Sequence, residues 1–297
     1  MNNPTMTAQI AHGDGFIAAL DQSGGSTPGA LRLYGISETA YASEAEMFTL
    51  MHEMRVRIIT SPAFTGARVL GTILFENTMD SRVNVTPVPV FLWERGIVPF
   101  LKVDKGLEAE RDGVSLMKPM PALDALLTRA ATLGIYGTKM RSTINLPSPD
   151  GIATIVKQQF EVAARIAGHG LMPIIEPEVL IKSPDKAGAE AILRAEILKQ
   201  LDALPESRQV MLKLTIPTVP DFYRELTRHE RVARVVALSG GYTRTEACRL
   251  LAANHGMIAS FSRALTKGLQ HSMTDQEFDA ALARSITEIY EASTEKV

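Results

Sequence analysis

The chain holds a single cysteine, Cys248, in 297 residues. That excludes an intrachain disulfide and a thiolate zinc cluster. Its six histidines (His12, His52, His169, His229, His255 and His271) are scattered, with no pair at metal-ligand spacing, so no metal site is expected. An excess of one charge is also missing. Lys and Arg number 31 against 33 Asp and Glu, a net charge of −2. This gives no general electrostatic case for nucleic acid or an anionic membrane as partner, and any phosphate recognition must be local. No apolar run approaches the roughly 20 residues of a membrane span. The first residues, MNNPTMT, lack the basic region and apolar core of a signal peptide. The expectation is a soluble cytoplasmic protein. No Pro/Gly/Ser-rich linker or composition shift divides the chain, which points to one domain over 1–297.

Eight short apolar, β-rich segments are present, at 15–21, 68–77, 97–104, 135–141, 171–178, 209–216, 234–241 and 256–263. Near-continuous hydrophobic runs of this kind suit parallel strands buried on both faces. Helix-like stripes separate them. Ser43 with Glu46 predicts a capping box ahead of Met47, Met51, Met54 and Ile58. Asp150 precedes a 3.6-residue stripe through Ile152, Ile155, Val156, Phe160, Ala163 and Ile166, and a further stripe runs from Ala189 to Leu201. Thr243 with Glu246 predicts a second capping box. Thr274 with Glu277 predicts a third, opening a C-terminal helix over about 274–292. Residues 78–89 and 108–122 read as loops. Eight β/α units predict a (β/α)₈ TIM barrel rather than a doubly wound sheet. The turn after the first strand, DQSGGS (21–26), does not fit the dinucleotide-binding G-x-G-x-x-G pattern.

The run VMLKLTIP (210–217) has a lysine, Lys213, inside a buried-looking strand. Such a lysine either escapes at the end of the element or sits in a cavity that manages its charge, where a neutral amine can attack a carbonyl. Barrel enzymes place their chemistry at the C-terminal ends of the strands, and there this chain collects Asp21, Lys102, Asp104, Lys139, Arg141, Glu176, Glu178, Lys213, the turn Ser239-Gly240-Gly241, and Arg263. A cation such as Lys139 near Lys213 lowers an amine's pKa, and Glu176 is suited to move protons. The composition is that of Schiff-base chemistry, with an iminium as electron sink. Ser239, Gly240, Gly241 and Arg263 suit a phosphate site, with glycine allowing close backbone approach. Ser23, Ser26 and Lys102 suit a second, so a substrate with a phosphate at each end would fit. Solvated strand ends, simple Ser-Gly-Gly turns and an Asx-turn at Asp21 are the structural alternatives for the same residues.

The segments IAALD (17–21), ILF (73–75), VPFLKVDKG (98–106), GTKMR (137–141), PIIEPE (173–178), MLK (211–213), LSGG (238–241) and FSRAL (261–265) occur in that order. With them the chain resembles the class I, Schiff-base-forming fructose-1,6-bisphosphate aldolases, and its shorter bacterial members more than the animal enzymes. The resemblance implies a lysine-dependent, metal-independent aldehyde-lyase needing no cofactor. Its reaction is the reversible cleavage of fructose 1,6-bisphosphate to dihydroxyacetone phosphate and glyceraldehyde 3-phosphate, in glycolysis or gluconeogenesis. It implies Lys213 as the Schiff-base lysine, Glu176 as acid/base with Glu178 beside it, and Lys139 and Arg141 as the charge-setting pair. Asp21 falls on the C4-hydroxyl side of the cleaved bond. The phosphate pockets are Ser239, Gly240, Gly241 and Arg263, and Ser23, Ser26 and Lys102. Partners are then small-molecule sugar phosphates. Oligomeric state is left open, a homo-oligomer included. Departures from the animal pattern are Met140 in place of tryptophan, Ser262 in place of glycine, and a chain that stops at Val297 without a tail ending in tyrosine; Tyr290 falls in a predicted helix. Another Schiff-base lyase or transferase with one phosphate pocket, or a non-catalytic phosphosugar binder, would keep parts of this set.

Overall fold

The computed structural model describes residues 3–22, 25 and 27–297. Its main sheet carries eight parallel strands paired in sequence order: β1 Phe16–Leu20, β2 Val69–Leu74, β3 Val98–Lys102, β4 Gly137–Ile144, β5 Met172–Val179, β6 Val210–Thr215, β7 Val232–Leu238 and β8 Met257–Ala259. Ala19 N–H donates to Phe261 O at 3.0 Å, bringing β1 against the chain that follows β8, so the sheet curls into a nearly closed barrel. All eight expected strands are present and helices alternate with them, the (β/α)₈ arrangement.

Two-residue alternation along each strand divides the core in two. One set, including Leu101, Met140, Ile175 and Leu212, packs between the sheet and the helices. The other, including Ile17, Ala19, Val98, Phe100, Ile174 and Met211, fills the lower barrel interior. The ring of Phe100 occupies the centre because Gly71 and Gly137 leave room for it. A Cβ on Gly137 would lie 2.9 Å from that ring and 2.3 Å from Met172 O. The same alternation, continued upward, turns Asp21, Lys102, Lys139, Glu176 and Lys213 into the upper interior.

The lower end is covered by the helix Pro4–His12, which the sequence reading passes over although Asn3 caps it and Pro4 takes its first position. Met6 and Ile10 join the lower core, and Arg234 donates to Ala11 O and Gly13 O, both at 2.8 Å, satisfying carbonyls at the helix end.

Several boundaries differ from expectation. The second segment stops at Leu74, since Glu76–Met79 is helical. The expected loop 78–89 holds a hairpin, Arg82–Val83 with Thr86–Pro87, and the start of the helix Val88–Glu94. The expected loop 108–122 contributes Val114–Ser115, paired antiparallel to β4. The eighth strand ends at Ala259, and Arg263 opens the short helix Arg263–Thr266 instead of standing on a strand. The helix Pro149–Gly168 is capped by Ser148, with Asp150 inside its first turn. Of the three capping boxes, Thr274 with Glu277 is reciprocal and starts the helix Asp275–Thr294. At the other two, Ser43 and Thr243 accept from the N–H groups of Glu46 and Glu246, while the Glu46 carboxylate turns to Ala42 N–H instead.

Because Phe100 is fully buried at the barrel centre, Phe100→Ala should lower unfolding free energy by about 3–5 kcal/mol. Denaturant titration checks this; a loss below about 1 kcal/mol would show that the centre is not close-packed.

Candidate active site

The upper barrel holds a cavity of about 760 Å³ whose walls include Asp21, Lys139, Glu176, Lys213, Ser239 and Arg263. Lys139, Glu176 and Lys213 are only 3%, 4% and 4% exposed. One carboxylate links the two lysines: Glu176 Oε1 lies 3.1 Å from Lys213 Nζ and Oε2 lies 2.9 Å from Lys139 Nζ. Lys139 also meets Asp21 Oδ2 at 2.6 Å. On the rim, Arg141 Nε donates to Glu178 Oε2 at 2.6 Å, and Lys102 Nζ donates to Asp104 Oδ1 at 2.6 Å and Asp104 O at 2.8 Å. Four carboxylates therefore face four cations.

Register explains these pairings. Strand β4 lies beside both β3 and β5, with Lys102 opposite Lys139 and Arg141 opposite Glu176. Between β5 and β6 the paired residues are Ile174 with Met211 and Ile175 with Leu212. Glu176 and Lys213 lie just above, and Thr215 Oγ1 rejoins the strands by donating to Val179 O at 2.6 Å. The Glu176 N–H donates instead to Gln159 Oε1 at 2.8 Å, and Gln159 Nε2 donates to Ser142 Oγ at 3.0 Å. Gln159 fixes the backbone that carries the central carboxylate.

Burial opposes ionisation of Asp21, but Lys139, Lys213 and Lys102 override it and hold its carboxyl well below the usual carboxylate range. Burial likewise opposes the charge on Glu176, and Lys139 and Lys213 outweigh it, so its pKa is lowered. For Lys139, burial works against the ammonium while Asp21, Glu176 and Asp104 stabilise it, and its pKa is raised far above the ordinary lysine range. Lys139 stands near Lys213 as expected, but its charge is shared with two carboxylates, Asp21 and Glu176, and Glu176 also meets Lys213.

The turn after β7 has Ser239 buried and Gly240 and Gly241 at φ +57° and +119°, left-handed backbone that favours glycine. A Cβ on Gly241 would stand 3.8 Å from the Arg263 guanidinium, which places that arginine beside the turn. Lys102 is engaged with Asp104 rather than standing open to an anion. Ser23 and Ser26 lie outside the described residues. Sequence reasoning missed Gln22 and Ser260 on the cavity wall, where Ser262 also stands, and it missed Arg55 behind Gln22. Arg55 is fully buried, and its guanidinium donates to Gln22 O and, at 3.1 Å, to Thr78 Oγ1. Burial lowers its pKa to about 10, with Asp21 acting in the opposite sense. Cys248 lies away from these walls, with its thiol pushed up to about 11 chiefly by burial. Among the described residues no cluster of His, Cys, Asp and Glu is arranged to hold a metal ion, and no helix is long and apolar enough to cross a membrane.

Comparison with known proteins shows the family to which the chain belongs. The family model described as fructose-bisphosphate aldolase class-I matches residues 5–220. The chain is 55% identical over 292 residues to the fructose-bisphosphate aldolase class 1 of Porphyromonas gingivalis, covering 98% of this chain and 99% of that one. It is 56% identical over 280 residues to the protein of the same name from Synechocystis sp., covering 94% and 93%. A solved structure of Plasmodium falciparum fructose-bisphosphate aldolase shares the fold, with a TM-score of 0.77 at 19% identity over 99% of this chain and 94% of that one. The chain therefore belongs to the class I fructose-bisphosphate aldolase family.

Proposed function

We propose that Lys213 is the covalent nucleophile of a class I fructose-bisphosphate aldolase. The observation that carries this reading is the 3.1 Å contact of its buried amine with Glu176 at the floor of the cavity. The Lys213 ammonium passes a proton to Glu176, and the free amine adds to the C2 carbonyl of fructose 1,6-bisphosphate to give a carbinolamine. Glu176 returns the proton to the C2 oxygen, which departs as water and leaves an iminium. Asp21, kept ionised by Lys139, takes the proton of the C4 hydroxyl. The C3–C4 bond then breaks, its electron pair moves into the iminium, and glyceraldehyde 3-phosphate leaves. The enamine gains a proton at C3 while Asp21 gives up the one it took, and addition of water across the iminium releases dihydroxyacetone phosphate and restores the Lys213 ammonium. Throughout, Lys139 remains a cation, which keeps both carboxylates in place.

The two phosphates are assigned to opposite sides of the mouth. Ser239, Gly240, Gly241 and Arg263 form one site, while Ser23, Ser26 and Lys102 form the other, with Arg141 and Glu178 on the rim between. Substrate phosphate has to compete with Asp104 for Lys102. No metal is required, since the iminium withdraws the electron pair that a Lewis acid would otherwise accept. The proposed location is cytoplasmic, because sugar bisphosphates carry too much charge to leave the compartment in which they form.

Lys213→Met should lower kcat for fructose 1,6-bisphosphate by on the order of 10⁴-fold or more, and EDTA should leave the wild-type rate unchanged. A coupled assay for triose phosphate checks both. An active Lys213→Met enzyme would remove the assignment.

The depressed carboxyl pKa values also predict acid instability. An unfolded Asp has a pKa near ~3.9, so the stability contributed by ionised Asp21 is present above that value and lost as pH falls towards its folded value. Asp21→Asn should be less stable than wild type at pH 7, and the difference should shrink between about pH 4 and pH 2. Urea titrations across this range test it; a difference that stays constant on acidification would contradict an ionised, paired Asp21.

A further inference from the structure

We infer that Gln22 and Ser262 form a clamp that fixes the spacing of the two phosphate loops and thereby favours ketose bisphosphates over monophosphates. The inference rests on the two-phosphate reading above.

Gln22 Nε2 donates to Ser262 Oγ at 2.7 Å, across 240 positions of sequence. Gln22 follows Asp21 and precedes Ser23 and Ser26 in the sequence. Ser262 immediately precedes Arg263. The hydrogen bond therefore ties the loop after β1, at one phosphate site, to the loop after β8, at the other. It spans the seam where the barrel closes, just above the Ala19 N–H to Phe261 O contact. Regular ladder pairing between the first and last strands is absent from the described residues, and the Gln22 to Ser262 hydrogen bond adds a side-chain tie across that seam.

Gln22 is held from the opposite direction too. Its backbone carbonyl accepts from Arg55, whose guanidinium is buried and reaches Thr78 after β2. Desolvating a guanidinium without a carboxylate partner is costly. Here it is positioned by a carbonyl, a hydroxyl and the face of Phe75, with its centre 5.6 Å from the ring centroid. Gln22 is itself buried on the cavity wall. A residue held through its side-chain amide on one side and its backbone carbonyl on the other acts as a spacer between the two anion sites. A bisphosphate engages both loops at once and registers any change in their separation, whereas a monophosphate engages one.

A double-mutant cycle with Gln22→Met and Ser262→Ala tests the clamp, since each removes the hydrogen bond while keeping similar volume. Each single variant should raise KM for fructose 1,6-bisphosphate about fivefold, the worth of one hydrogen bond. The double variant should rise no further, and kcat should stay within about twofold. KM for fructose 1-phosphate should change less than about twofold throughout, and Ser262→Thr, which restores the hydroxyl, should recover the wild-type KM. Effects that multiply in the double variant, or that raise KM equally for both substrates, would overturn the clamp. Failure of the wild-type protein to cleave fructose 1,6-bisphosphate would instead remove the underlying reading, and that control separates the two.

Discussion

Everything at the top of this barrel is arranged around one carboxylate shared by two buried lysines. Glu176 lies within 3.1 Å of Lys213 and 2.9 Å of Lys139. Three charged groups in so dry a space would be prohibitive unless each had partners, because desolvation costs several kcal/mol per ion. Asp21 completes the set at 2.6 Å from Lys139. Such a cluster contributes little net stability compared with apolar packing, so its presence marks a place where chemistry outweighs economy of folding.

The barrel makes the cluster affordable. Below it, Phe100 and its aliphatic neighbours close the interior, and the helix Pro4–His12 covers the end. Above it the cavity opens, walled in part by Ser239, Gly240 and Arg263. Behind it, buried polar residues on the surrounding helices fix the backbone: Gln159 holds the Glu176 N–H, and Arg55 holds the Gln22 carbonyl. The two lysines then differ by their surroundings. Lys139 sits between two carboxylates and is locked as an ammonium, whereas Lys213 shares one carboxylate and stands at the cavity floor. That asymmetry suits one lysine to hold charge and the other to react.

Much of this was legible in the sequence for a simple reason. Strands buried on both faces read as continuous apolar runs, so a lysine or glutamate within one stands out, and the eight runs order themselves into a barrel. Partner choice was less legible, because it depends on which strands adjoin and how they are registered. Lys139 therefore read as a cation near Lys213, without the partners Asp21 and Glu176 that enclose it. Arg263 read as a strand residue because the apolar run continues past Ala259, where pairing ends. Arg55 and Gln159 were available to a stricter reading. Each occupies a core-facing position of an otherwise apolar helical stripe, Arg55 among Met51, Met54 and Ile58, and Gln159 among Ile155, Val156 and Ala163. A polar side chain at such a position is a sign of a buried partner. The reach from Gln22 to Ser262 could not be read at all, since it depends on closure between the two ends of the sheet.

The central claim is that Lys213, and not Lys139, carries the substrate. Reduction with borohydride in the presence of fructose 1,6-bisphosphate, followed by peptide mass spectrometry, tests it most directly. The account predicts a single secondary-amine adduct on the peptide containing Lys213, with Lys139 unmodified. An adduct on Lys139, or none while turnover continues, would contradict it.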